Sequence, residues 1–173
     1  MIRKMLLLGL LCACVIVFAR HDVSAQCGPG GGKSGMMDTF LPGSTTAYGW
    51  LAPDEGLEQM KATKKPGLLY FYSMDPRATR IAKDIECKLF AAHRFKYVGD
   101  KFVTMKCDST LKHKVGDIKL PKGGVGMMFL GCDGKKIGSM MKRAPSPTSF
   151  DKSAKKAMKE NCKRAEELAC GCE

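Results

Sequence analysis

The chain is poor in acid: 17 Asp and Glu stand against 29 Lys and Arg, a formal charge of +12. It is also poor in features that would give such a charge a nucleic-acid role. No helix-turn-helix, no interleaving of aromatic with basic residues and no zinc-finger spacing occurs, so no nucleic-acid partner is expected. An anionic envelope surface or polymer suits a basic exported chain better. No apolar run reaches the about 20 residues of a spanning helix; the longest, Met5 to Phe18, is cut off by Arg20, His21 and Asp22. Nucleotide binding is excluded as well. Gly30-Gly31-Gly32-Lys33-Ser34 has the look of a phosphate loop, but the position that needs the first glycine is Cys27, and neither a strand before it nor a helix after it is expected. His93 and His113 receive no role.

What is present begins with an export signal. Arg3 and Lys4 precede the apolar stretch, and Val23-Ser24-Ala25 offers the small residues a signal peptidase requires. Residues 1–25 are therefore expected to be removed, giving a secreted or periplasmic protein; the alternative is an uncleaved N-terminal membrane anchor. The signal carries three positive groups and one negative, so its loss lowers +12 by two, to +10. About 148 residues remain, enough for one domain with its own core. Of nine cysteines, Cys12 and Cys14 fall in the signal and seven survive. Export permits disulfides, and an odd number leaves at least one thiol free, metal-bound or shared between chains.

Residues 26–47, rich in Gly, Ser, Thr and Met, read as a flexible leader. A short helix is expected from Pro53 to about Lys64, stopped by Lys65-Pro66-Gly67. Leu68 to Ser73 is apolar in the manner of a strand covered on both faces. A helix follows to about Phe90, with Ile81, Ala82, Ile85 and Leu89 as its apolar stripe. Cys87 then points off that stripe, toward solvent or an adjoining loop. Phe102 to Cys107 forms the second strand, with Val103, Met105 and Cys107 on one face, and a short helix is expected around Ser109 to Val115. Asp133-Gly134 signals a hairpin between Met127–Cys132 and Lys136–Met141. From Pro147 to Leu168 an amphipathic helix sets Phe150, Ala154, Ala157, Met158, Ala165 and Leu168 against Lys152, Lys156, Lys159 and Lys163.

This order resembles the thioredoxin-like superfamily, especially its exported branch. Trp50 before the first helix, Lys65-Pro66-Gly67 leading into Leu68-Leu69-Tyr70-Phe71, Phe102-Val103-Thr104-Met105-Lys106-Cys107-Asp108, and Phe129-Leu130-Gly131-Cys132-Asp133-Gly134-Lys135 carry the likeness. It implies an α/β fold over residues 48–168: a central mixed sheet with helices on both faces, followed by a tail at 169–173. It also implies a redox Cys-x-x-Cys between the first long strand and its helix, and a cis-proline facing it. This sequence has neither. Met74 and Arg77 stand at the cysteine positions, no Cys lies between Gly67 and Glu86, and Gly126 stands at the proline position. With the usual chemistry absent, the expected function is a binding or structural module for a protein or peptide partner.

The remaining chemistry lies in cysteines elsewhere. Cys170-Gly171-Cys172 is the sharpest motif: closing a disulfide across one residue strains it and makes it easier to reduce. The pair is therefore a candidate thiol–disulfide oxidoreductase site, or a tether to the domain or to Cys27, or a pair of thiolates for Cu(I) or zinc with Cys162 as a third ligand. Cys87 and Cys27 join them as candidate redox or disulfide positions. Cys107 and Cys132 sit among apolar neighbours and read as buried thiols. Of the methionine pairs Met36-Met37, Met127-Met128 and Met140-Met141, those in strands point to opposite faces, which suits core filling better than a shared metal.

Overall fold

The computed structural model describes Gly43, residues 49–90, Phe95 and residues 100–167. The expected signal (1–25), all of the 26–47 leader but Gly43, and the 169–173 tail lie outside the described residues. Among those described, no helix is long and apolar enough to cross a membrane.

The elements follow in the order α1 (Pro53–Thr63), β1 (Gly67–Tyr72), α2 (Pro76–Ile85, continued by a π-helical turn at Glu86–Phe90), β2 (Val103–Asp108), β3 (Lys114–Val115), β4 (Ile118–Lys119), β5 (Gly126–Leu130), β6 (Lys136–Met141) and α3 (Pro147–Glu167). Four strands make a mixed sheet in the order β2-β1-β5-β6, and β3 pairs with β4 in a hairpin of its own. β1 runs parallel to β2, with Tyr70 opposite Lys106 and Tyr72 opposite Asp108. β5 is antiparallel to both β1 and β6. Leu51 adds a parallel bridge to Met105 on the outer side of β2.

The apolar strands are explained by the two cores they separate. On one face Leu68 and Tyr70 of β1 and Met127 and Phe129 of β5 meet α2 through Ala78, Ala82 and Ile85, and α3 through Phe150, Ala154 and Ala157. Aromatic rings run through this layer: Trp50 lies 5.1 Å from Phe90, Phe90 4.6 Å from Phe95, and Phe150 5.5 Å from Phe129, centroid to centroid. The other face gathers Leu69, Phe71, Val103, Met105, Cys107, Met128 and Leu130 under Met60 of α1, with Val115 and Leu120 closing its edge. Met127 and Met128 thus lie in different cores, both fully buried. The chain is an α/β protein with a mixed sheet covered on both sides.

Two expectations are corrected. No helix forms over Ser109 to Val115. The Asp108 carboxylate accepts from the Thr110 N–H at 2.8 Å and starts a single turn, after which Val115 pairs with Ile118 across Gly116-Asp117. Gly116 has φ +55°, which the two-residue hairpin requires and a helix forbids. The stripe of α2 is also rotated: Ala78, Ala82 and Ile85 are buried, while Ile81 is 37% exposed.

Candidate functional site

The loop between β1 and α2 is where the sheet delivers its first strand to a helix N-terminus. Ser73 leaves β1 buried, and its Oγ accepts the Asp75 N–H at 3.1 Å. Asp75 caps α2, its carboxylate accepting the Arg77 N–H at 2.8 Å, and Pro76 opens the helix with a φ already suited to it. Met74 projects from this turn, 49% exposed, and Arg77 is exposed beside it. Two neighbouring loops are stitched to the same place. The Ser109 N–H donates to the Tyr72 carbonyl and the Ser109 hydroxyl to the Gly124 carbonyl, each at 2.7 Å. Gly126 lies on β5 opposite Phe71. A Cβ there would fall 2.6 Å from the Met141 carbonyl oxygen and 2.8 Å from the Phe71 ring, so close strand packing demands glycine. All described peptide bonds are trans.

Among the described residues, the hydroxyls at this place belong to Ser73 and Ser109. Neither Ser73 nor Ser109 shows a contact with a basic side chain, as an activated hydroxyl needs. The His113 ring faces the Ser109 carbonyl through Nδ1 at 2.8 Å. The first-turn amide of α2 that an anion would seek is already taken by Asp75. What the loop offers outward is the exposed Met74 side chain, followed along the chain by exposed Asp75 and Arg77.

The cysteines are dispersed. Cys107 is buried on β2, and burial raises its thiol to a pKa of about 11 against the opposing Lys112 charge, with the Asp108 charge adding a smaller push upward. Such a thiol stays protonated and unreactive at neutral pH. Cys132 is buried just past β5, its backbone N–H held by Asn161 Oδ1 at 2.6 Å. Cys162 is half-buried on α3, where it lines an open cleft of about 610 Å³ with Lys64, Lys65, Lys101 and Met158. None of the three is in a disulfide. Cys87, in the π-helical turn, is half-buried and disulfide-bonded. Cys27, Cys170 and Cys172 lie outside the described residues, and among those described no cluster of three or more metal-ligating side chains occurs.

A second constellation escapes the sequence reading. Glu86 is completely buried. Its Oε1 accepts the Tyr70 hydroxyl and the Gly43 N–H, both at 2.7 Å. Lys106, opposite Tyr70, donates through Nζ to the Gly43 carbonyl. Burial holds the Lys106 ammonium below its ordinary range, opposed by the Glu86 charge. The Tyr70 phenol is pushed well above its usual range, first by burial and then by Glu86; Tyr72 is raised too, by burial and then by Asp108. One signal was available: Glu86 sits four residues after Ala82, in phase with the buried stripe, and a charge there requires a buried partner.

No protein-family model matches this sequence, and no curated protein matches it.

Proposed function

We propose that this chain is an exported thioredoxin-like domain that works as a binding module for a protein or peptide partner, without thiol–disulfide activity at the usual position. The topology supports the fold: the Leu51 bridge, β2, β1, β5 and β6 succeed one another in the order and polarity of that superfamily, with α1 on one face and α2 and α3 on the other. The observation that carries the function is the exposure of Met74 and Arg77 in the β1–α2 loop, at the positions the resemblance gives to the two cysteines. An exposed apolar side chain beside charged neighbours is suited to contact rather than to electron transfer. The Lys152, Lys156, Lys159 and Lys163 face of α3 is exposed and adds a basic surface for an acidic partner or an anionic envelope.

In an insulin-reduction assay with dithiothreitol, the protein should add nothing to the rate of the reductant alone. Acceleration that persists in the Cys170→Ser, Cys172→Ser variant would overturn the reading. Acceleration that this variant abolishes would install the alternative, an oxidoreductase working through the tail. A Cu(I) or zinc titration of the same pair of proteins decides whether those cysteines serve a metal instead.

A further inference from the structure

Gly43 is held by side chains at every point a glycine residue offers. Its N–H goes to the Glu86 carboxylate, its carbonyl oxygen to the Lys106 ammonium, and its Cα lies against Tyr72. A Cβ at this position would stand 2.4 Å from two Tyr72 ring carbons, well inside contact distance, and φ is +76°, which L side chains rarely adopt. Two independent features therefore select glycine, the ring that closes the side-chain space and the backbone conformation, while Glu86 and Lys106 hold the backbone N–H and carbonyl of that residue.

The partners are built rather than incidental. Lys106 is set on β2 by its register with Tyr70 on β1. Tyr70 in turn fixes Glu86 through its hydroxyl, and Glu86 occupies the first position of the π-helical turn, a local widening of α2 of the kind that marks functional sites. The bond from the Gly43 N–H to Glu86 is buried and the bond from Lys106 to the Gly43 carbonyl is part-buried, settings in which a hydrogen bond is stronger than in bulk water. A buried carboxylate requires donors, and Gly43 supplies one of those Glu86 has. The sheet makes no use of this residue; the recognition is entirely by side chains.

We infer that Glu86, Lys106, Tyr70 and Tyr72 form a glycine-specific clamp for a peptide segment, and that Gly43 of the same chain is its resident occupant. The clamp is a binding site separate from the β1–α2 loop, and it takes a polypeptide ligand by its backbone, with glycine at the clamped position. Tethering explains its occupancy. A segment joined to the domain by a few residues competes at an effective concentration in the millimolar range, so an external peptide gains access only when the resident glycine is compromised.

The test uses the full chain, its Gly43→Ala variant and a synthetic peptide with the sequence of residues 38–48. The peptide is expected to bind the variant at least tenfold more tightly than the parent and to raise the thermal midpoint of the variant alone. The same peptide with alanine in place of its glycine should bind at least tenfold more weakly, and adding Lys106→Met to Gly43→Ala should weaken binding of the glycine peptide to a similar degree. Equal binding to parent and variant, equal binding of the glycine and alanine peptides, or no binding to a folded variant overturns the inference. Should Gly43→Ala fail to fold, hydrogen exchange at the Gly43 amide of the parent decides. Protection that Lys106→Met lowers at least tenfold supports the clamp, and exchange at the rate of a free peptide overturns it.

Discussion

At the residue scale, burial sorts the thiols by reactivity. Cys107 and Cys132 are enclosed, while Cys162 reaches a cleft open to solvent. A maleimide at neutral pH should modify Cys162 well ahead of Cys107 and Cys132, read by peptide mass spectrometry; comparable labelling of all three would contradict the enclosure. Cys107 also makes a pH prediction. Its thiol rises from an ordinary value of 9.0 to about 11 in the fold. Between those values the unfolded chain has lost the proton that the folded chain keeps, so the unfolded state binds fewer protons and stability falls. The contribution is complete below about pH 9 and is lost as pH rises through about 11. Chemical denaturation of the parent and Cys107→Ala across this range should show their difference in stability shrinking as pH rises. A constant difference would mean the thiol is not held protonated by the fold.

At the element scale, α1 approaches the sheet through a gap that glycine leaves. A Cβ at Gly56 would lie 2.1 Å from Met105 Cγ and 2.5 Å from its Sδ, directly over the core that Met60, Met105 and Leu69 share. Gly56→Ala improves helix propensity by about 1 kcal/mol, yet overpacking of this kind costs about 1–3 kcal/mol. Because Met105 is fully buried on β2 and the clash reaches atoms near its stem, the overpacking wins. Urea denaturation should place the variant about 1–2 kcal/mol below the parent; equal or greater stability would show that Met105 yields freely. The other end of α1 is tied into the fold by its backbone: Lys64 adopts the left-handed conformation at φ 58°, and its carbonyl accepts from Asn161 of α3 at 3.2 Å. Asn161 also holds the Cys132 N–H, so one buried amide joins α1, the β5–β6 turn and α3.

At the scale of the whole molecule, the described cysteines differ in their bonding. Cys87 on the π-helical turn is disulfide-bonded, whereas Cys107, Cys132 and Cys162 are in no disulfide. Non-reducing peptide mass spectrometry should recover Cys107, Cys132 and Cys162 as thiols and Cys87 in a cross-link. A bridge involving Cys107 or Cys132 would require the cores to be packed differently. Among the described residues the two cores are separate clusters on opposite faces of the sheet, and the Glu86 clamp belongs to the face bearing α2 and α3.

The sequence by itself determined what depends on neighbours a few residues apart. Apolar runs placed β1 and β2, Asp133-Gly134 placed the β5–β6 turn, and alternation sent Met127 and Met128 to different cores. Helical periodicity placed Lys152, Lys156, Lys159 and Lys163 on the exposed side of α3. The absence of a Cys-x-x-Cys was equally legible, because a missing residue type needs no fold to be seen. Gly116-Asp117 was legible in principle as a two-residue hairpin, but Ser109 to Val115 also suits a helix, and the decision fell to the core that takes in Val115 and Leu120. Only the tertiary structure decided the clamp. Glu86 is bound to Tyr70, 16 residues away, and to Gly43, 43 residues away. Local periodicity reaches about four residues along a helix, so it can mark Glu86 as misplaced on an apolar stripe, whereas the groups that make its burial tolerable are brought there by the sheet.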